Sequence, residues 1–287
     1  MRQKKRRARF FVAVALLLAA LLASSLLAGS GGGQTESIKT VMRDAVLHEE
    51  NRISLLGIME VNPAVVSDFV LTAVLLIAAA LLRVFAIPRF RYVPGRLQVV
   101  LEELVSFFHG LAKNNSPHRN GFLGAYVFGA GVYIFFGTLF ELFGIQGITS
   151  AGRSISLPAP LSDINAAIAL GFLSYFVILV GGLTSNGMRG VGQTLKDFSL
   201  PISMSFRLFG ALLSGLLVSE LVYYSISLSF VLPVLVGVLF TLLHALIQTY
   251  VLTMLTSLFY GEVTEPRAPK ATKPGKAAKT ALPAAQS

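Results

Sequence analysis

The chain contains no cysteine. This absence excludes disulfide bonds, thiolate metal sites, cysteine nucleophiles and cysteine lipidation together. Charged residues are also scarce, at 13% of 287 residues, whereas 54% are hydrophobic. Together with a mean hydropathy of +0.71, this composition is typical of a polytopic membrane protein rather than of a soluble one. We therefore expect one bundle of membrane helices with tails, although the length alone would allow two soluble domains.

Acidic residues are fewer than basic ones, 14 against 24, and the formal net charge is +10. The basic residues cluster in the terminal segments and in short loops, so we do not expect a nucleic-acid partner. Positive charge next to a membrane span instead marks its cytoplasmic side.

The first 28 residues have the layout of a secretory signal peptide. A basic start over residues 1–9 precedes an apolar run over 10–23, and small residues then suit cleavage near Ser25 or Ala28. The alternative is an uncleaved first span. In either case residues 29–64 are expected to form a segment on the external side of the membrane, with a short helix and a loop over 34–62.

Five later apolar runs are long enough to cross a hydrocarbon core of about 30 Å. They cover residues 65–87, 121–145, 164–183, 200–226 and 233–260. Between the first two, residues 97–111 combine Glu102 and Glu103 with leucine and phenylalanine, which predicts an amphipathic helix at the membrane interface.

The predicted fold class is therefore an all-α polytopic membrane protein with five transmembrane helices, a signal-like N-terminal segment and an interfacial helix. The membrane domain covers residues 65–260, and a basic, disordered cytoplasmic tail covers 261–287. Basic residues fall in alternate loops, which places the N-terminus outside after the leader and the C-terminus in the cytoplasm.

Arg207 lies in a run that otherwise has the character of a membrane helix. An arginine near the bilayer centre costs at least about 2.5–3.5 kcal/mol, and it cannot lose its proton to avoid that cost. We therefore expect it on an ion path or against a buried carboxylate. Ser203, Gly210, Ala211 and Ser214 recur on its side of the helix, and they fit either ordinary helix packing or a flat face for a partner helix.

Other polar side chains in the spans each have a plainer explanation beside the functional one. Glu141 lies near the outer end of its span and is either an interfacial carboxylate or part of an outer water path. Asp163 and Asn165 begin their span, so helix capping accounts for them equally well. Glu220 lies about 20 Å along the helix from Arg207 and is close enough to the outer face to be solvated.

His244 and Gln248 are four residues apart and share one face of the last span. A lone histidine there would suit packing, but the pair is better explained as a polar track. None of these residues indicates a cofactor or a metal site.

In this order and spacing, the residues resemble the a subunit of F-type ATP synthases over roughly 60–260. Residues 205–210 (Ser-Phe-Arg-Leu-Phe-Gly) are similar to that family's fourth-span signature, and 246–251 (Leu-Ile-Gln-Thr-Tyr-Val) resemble its last-span motif with the buried glutamine. Residues 160–165 resemble the Asp-x-Asn start of its third span, and the segment from Glu102 resembles its interfacial helix.

The chain departs from the family pattern at several positions. Most relatives carry Asn where this chain has Ala211, and Glu or His where it has Leu216. Glu220 lies one helical turn outward of the position that Leu216 occupies. His244 lies one turn inward of the position where some relatives have histidine, and Glu141 occupies a position that is usually Asn in the family. An outer ion path would therefore be built from displaced groups.

The resemblance implies a non-catalytic stator subunit, beside the rotating ring of c subunits, the b subunit of the peripheral stalk and membrane lipid. Ions would pass through two half-channels to and from the ring carboxylates. Arg207 would lower the pKa of an arriving carboxylate and block direct leakage, and Gln248 would hydrogen-bond the guanidinium. Glu220, His244 and Glu141 would belong to the outer half-channel, and Asp163 could join them.

The secretory character of the leader suggests a bacterial inner membrane, and the coupling ion, proton or sodium, stays open. A secondary transporter is the first alternative, but it would usually show inverted repeats, and none is apparent. An intramembrane serine protease is the second, with Ser214 and His244 on consecutive spans. Its usual Gly-x-Ser turn is absent, because Leu212 takes the first position.

Overall fold

The computed structural model describes residues 53–55, 59–148, 154–224 and 232–266. Within this part the α-helices are α1 (Pro63–Leu81), α2 (Arg96–Asn115), α3 (Gly121–Leu139), α4 (Ile164–Asn186), α5 (Met188–Lys196), α6 (Ser199–Tyr224) and α7 (Leu232–Thr264). Four short strands form two hairpins, β1 (Ile53–Leu55) with β2 (Met59–Val61), and β3 (Gln146–Ile148) with β4 (Ser154–Ser156). The signal-like segment and the tail beyond residue 266 lie outside the described residues.

Helices long and apolar enough to cross a membrane confirm the all-α polytopic class. Four of them meet this description, over Pro63–Arg89, Gly121–Phe143, Ile164–Asn186 and Gly237–Thr264. A fifth crossing combines α5 with the first part of α6, Ser199–Gly215, and these two helices meet at a bend of 50°. The described part therefore holds four spans, or five if the bent pair is counted as one.

The segment before α1 differs from the expected loop. Ile53–Leu55 pairs antiparallel with Met59–Val61, with Ser54 opposite Glu60. Apolar residues alternate with polar ones in both strands, and this period of two suits a strand rather than a helix or an irregular loop. Ile53 is buried in a cluster with Leu71, so the hairpin is anchored on the first turns of α1.

The amphipathic helix predicted over 97–111 forms as α2. Its Phe108 and Ala112 are buried against α3, whereas Glu102 and Glu103 are exposed. Opposite faces of one helix thus carry the apolar and acidic residues, as the sequence pattern predicts.

The core lies where α7 crosses the other helices. One cluster joins α3, α4, α6 and α7 through Ile134, Ala167, Leu208 and Leu252, and a second joins α2, α3, α4 and α7. In contrast, most of α1 beyond Leu71 is exposed along its length. The candidate site on α6 and α7 therefore stands on the best-packed part of the chain.

Two of these helix contacts depend on glycine because the backbones themselves touch. A Cβ at Gly190 would overlap the carbonyl oxygen of Gly182, so α5 can lie this close to α4 only if residue 190 lacks a side chain. A Cβ at Gly261 would likewise overlap the carbonyl oxygen of Asn115. Such small-residue contacts are a usual way for membrane helices to approach closely.

We predict that Gly190→Ala lowers stability, because the added methyl must push α5 away from α4. Forcing an extra carbon into a packed contact typically costs about 1–3 kcal/mol. Thermal unfolding of the detergent-purified protein measures the effect. The matched control is Gly192→Ala on the same helix, where a Cβ meets nothing within 4 Å and greater helix propensity should leave stability unchanged or raised. Equal melting temperatures for the two variants would contradict the assigned contact.

Candidate functional site

Arg207 lies on the exposed face of α6. Met204, Leu208 and Leu212 on the opposite face are buried in the core, which fixes the rotation of the helix. The guanidinium makes no hydrogen bond or ion pair with any residue of the described ranges. The helix thus presents a permanent cation outward, and no described residue is its partner.

The small residues predicted on the side of Arg207 share its exposure. Ser203, Gly210 and Ser214 are exposed and Ala211 is half-buried. Ser214 Oγ donates to the Ala211 carbonyl at 2.8 Å, within its own helix. The stripe formed by Arg207 and these residues is therefore lined by small side chains, and the exposed ring of Phe206 lies beside it.

Gln248 meets α6 from α7 but bonds a different group from the one expected. Its Nε2 donates to the main-chain carbonyl of Arg207 at 3.3 Å, whereas the guanidinium was the predicted partner. The glutamine is 5% exposed, and its Oε1 has no hydrogen-bond partner. The difference arises because Gln248 points at the backbone of α6, while the Arg207 side chain leaves from the exposed face.

His244 lies one turn away from Gln248 on α7 and also faces α6. Its Nδ1–H donates to the Phe240 carbonyl at 2.9 Å, and its ring stacks on the Phe240 ring. A Cβ added at Gly215 of α6 would lie 4.0 Å from the His244 Nδ1. The structure therefore brings both members of the predicted polar track against the helix that carries Arg207.

Asp163 and Asn165 form a helix cap, which is the simpler of the two explanations considered for them. Asp163 is 7% exposed, and its carboxylate accepts the backbone N–H of Asn165 at 2.7 Å at the start of α4. The Asn165 side chain is exposed. Within the described part, neither side chain hydrogen-bonds Arg207, Gln248 or His244.

The remaining two predicted carboxylates lie at the ends of helices. Glu141 occupies the 3₁₀ turn Phe140–Phe143 after α3, where its side chain is half-buried. This turn ends at Gly144, whose φ of 58° suits glycine. Glu220 belongs to α6, but its side chain lies outside the described residues.

Sequence reasoning missed Asp68, an acid within the first apolar run. Tyr133 of α3 donates a hydrogen bond to its carboxylate, and Tyr126, two turns along α3, bonds Ser174 of α4 at 2.8 Å. Asp68 and both tyrosines line a cavity of about 480 Å³ with Leu170. The rule that singled out Arg207, that ionisable groups within a span need a partner, would have found Asp68 as well.

Together, the fold and the site define an integral membrane protein in which a small-residue helix face carries a cation, Arg207, that has no partner among the described residues. A buried amide, Gln248, bonds the backbone at the same position. A family profile described as ATP synthase A chain matches residues 68–261, which include α2 to α6 in full and most of α1 and α7. The chain therefore belongs to the ATP synthase A chain family, whose members are subunits of the membrane (Fo) sector of F-type ATP synthases.

Individual relatives agree with this assignment. Two proteins named ATP synthase subunit a, from two strains of Cereibacter sphaeroides, are each 29% identical to the chain over 199 residues. These matches cover 65% of this chain and 76% of each relative. The predicted resemblance over residues 60–260 is thus confirmed, as is the membrane role in ATP synthesis and proton transport.

We predict that Tyr133→Phe lowers stability, because it leaves the partly buried carboxylate of Asp68 without its donor. Leaving a buried acceptor without its hydrogen-bond donor costs about 1–3 kcal/mol of stability. For a side-chain hydrogen bond between membrane helices, the cost is often at the low end of this range. Melting of the purified protein in detergent measures this. Tyr250→Phe is the control, since the Tyr250 ring is exposed and its hydroxyl has no partner in the described ranges. A loss of the same size in both variants would mean that the Tyr133 bond contributes nothing specific.

Proposed function

We propose that this chain is the proton-translocating stator subunit of Fo, which carries protons through two half-channels to and from the carboxylates of the c-ring. The observation that carries the proposal is the guanidinium of Arg207, which lies on the exposed face of α6 and has no partner among the described residues. ATP chemistry would occur on other subunits, so the chain itself needs no catalytic residue, cofactor or metal.

The face around Arg207 suits a helix of the ring. Ser203, Gly210 and Ser214 are small and exposed, so a passing helix can come close to the stripe that carries the guanidinium. An anionic carboxylate is the natural partner of a cation in a medium of low dielectric constant. The same helix face therefore supplies both the close approach and the charge complement that a ring carboxylate requires.

The fixed charge makes a ring carboxyl give up its proton on arrival. A protonated ring carboxyl that approaches Arg207 has its pKa lowered by the cation, so it releases its proton into the half-channel that it reaches before it passes Arg207. After it passes, a proton from the other half-channel binds it again, and the proton gradient or the driven rotation of the ring sets the direction. The cation also repels a proton moving directly between the half-channels. Each proton that crosses 100 mV releases about 2.3 kcal/mol, and a leak would dissipate that energy.

Gln248 would hold Arg207 at a fixed depth in the membrane. Its amide already bonds the Arg207 carbonyl, and its Oε1 is a buried acceptor without a partner. A guanidinium has five donors, so a change of rotamer that brings one of them to Oε1 would satisfy both groups whenever no carboxylate is near. Arg207 would then alternate between the amide oxygen and the ring.

His244, Glu220 and Glu141 would form the outer half-channel, with Asp163 and Asn165 near its mouth. The Nδ1–H of His244 is committed to the Phe240 carbonyl, which leaves Nε2 of the neutral ring as a proton acceptor. This arrangement favours a proton as the coupling ion. We further propose a bacterial inner membrane, with the C-terminus in the cytoplasm and contacts to the b subunit and lipid.

The protease alternative gains no support from the geometry of Ser214. The residue lies within the continuous helix α6, its hydroxyl bonds the Ala211 carbonyl, and no described hydrogen bond joins it to His244. A nucleophile would need an activating base within hydrogen-bond reach.

We predict that Arg207→Ala abolishes ATP-driven proton pumping, because no fixed cation then releases the ring proton, and that it raises passive leakage. Quenching of a pH-sensitive dye in inverted membrane vesicles measures both, at matched levels of assembled complex. Arg189→Ala is the control, since Arg189 is an exposed cation on α5 and its loss should leave pumping unchanged. Near-normal pumping by the Arg207 variant would refute the proposed mechanism.

We predict that His244→Gln slows proton pumping several-fold, since glutamine retains a hydrogen-bonding amide but cannot bind a proton at neutral pH. A second variant, His244→Phe, separates proton transfer from packing, because it keeps a ring beside Phe240 but cannot carry a proton. Dye quenching in inverted vesicles, at matched levels of assembled complex, measures both variants, and both should be slow. Near-normal pumping by His244→Phe would assign His244 a packing role only.

A further inference from the structure

We propose that the corner between α1 and α2 binds the phosphate headgroup of an anionic phospholipid. After α1 the chain makes a π-helical turn, Leu82–Ala86, and then a 3₁₀ turn, Ile87–Arg89, before it enters α2. These two turns and the start of α2 surround a cavity of about 580 Å³. The cavity is separate from Arg207 and from the proposed proton path.

The lining of this cavity combines cations with apolar rings. Three arginines contribute to it, together with phenylalanine and leucine side chains: Arg89, Arg91, Arg96, Phe85, Phe90 and Leu97. A phospholipid fits this mixture, because it carries a phosphate and acyl chains in one molecule. A soluble acidic ligand would contact the arginines but not the apolar side chains.

Nothing in the described ranges neutralises these arginines. The sequence has no acidic residue between Asp68 and Glu102. Glu102, the first acid that follows, accepts a hydrogen bond from Gln98 at 2.7 Å, and none of the three guanidiniums forms an ion pair within the described ranges. Arginine binds phosphate through two parallel hydrogen bonds, so this charge is available to an anionic headgroup.

The loop that carries the arginines is held in shape before any ligand arrives. Gln98 of α2 accepts the N–H of Arg91 and donates to its carbonyl, both at 3.0 Å. A fixed loop loses less conformational entropy on binding than a flexible one. The two hydrogen bonds to Gln98 therefore hold the main chain of Arg91 beside the cavity.

The surroundings identify the ligand as a lipid rather than a protein segment. The cavity-lining Phe85 and Leu97 are exposed apolar side chains, and so are their neighbours Val84 and Val100. The cavity thus lies where an apolar surface meets a basic loop, which is the level of phospholipid headgroups. Basic pockets beside membrane helices on the cytoplasmic side are known to bind such headgroups.

The experiment uses the full chain in its assembled complex, extracted in mild detergent and examined by native mass spectrometry. Phosphatidylglycerol is added in one arm and phosphatidylcholine with the same acyl chains in the other. Wild type should retain phosphatidylglycerol preferentially, and R89Q/R91Q/R96Q should lower that retention roughly a hundredfold. The matched control is K113Q/R189Q/K196Q, which removes three exposed charges elsewhere and should leave retention unchanged.

Several results would overturn the proposal. Equal retention of the two lipids by wild type, or equal losses in both triple variants, would leave only general attraction to negative charge. Binding of inorganic phosphate as tight as that of phosphatidylglycerol would define a free-anion site, and loss of another subunit instead of lipid would define a protein interface. If the triple variant does not assemble, R89Q, R91Q and R96Q are tested singly, each with an expected loss of roughly fivefold.

Discussion

The charge of Arg207 has to be stabilised on a helix face that offers it only small and apolar neighbours. A guanidinium keeps its proton at any physiological pH, so burial cannot neutralise it as it might neutralise a lysine or an acid. The described residues provide no counter-ion. The mechanism proposed above assigns the negative charge to a c-ring carboxylate, in keeping with the family to which the chain belongs.

One side of α6 is packed into the core, whereas the face that carries Arg207 is exposed. Leu208 and Leu212 anchor the back of α6 in the core, and Gln248 ties the Arg207 carbonyl to α7. A fixed cation is useful in charge transfer because its position costs no reorganisation when the reacting group arrives. The glycine contact between α4 and α5 contributes indirectly, since α5 leads into α6 through the 50° bend.

Sequence reasoning located the parts of the site that follow from helical periodicity and from the cost of charge in a membrane. The exposed stripe of Arg207 and its small neighbours follows from spacing alone, and so does the shared face of His244 and Gln248. Sequence reasoning failed where the partner of a side chain depends on contacts between distant segments. The bond from Tyr133 to Asp68 and the choice of a carbonyl as the partner of Gln248 are set by how whole helices cross, which one sequence does not reveal.

The departures from the family pattern acquire a physical meaning on this scaffold. Ala211, at a position where the family resemblance led us to expect Asn, is half-buried one turn from Arg207, so it offers the guanidinium no amide. Gln248 bonds the Arg207 carbonyl through Nε2, and its buried Oε1 has no hydrogen-bond partner within the described residues. The amide that the missing Asn would have supplied on α6 is therefore replaced by one that approaches from α7. If Arg207 needs an acceptor when no carboxylate is near, the proposed mechanism assigns that role to Gln248.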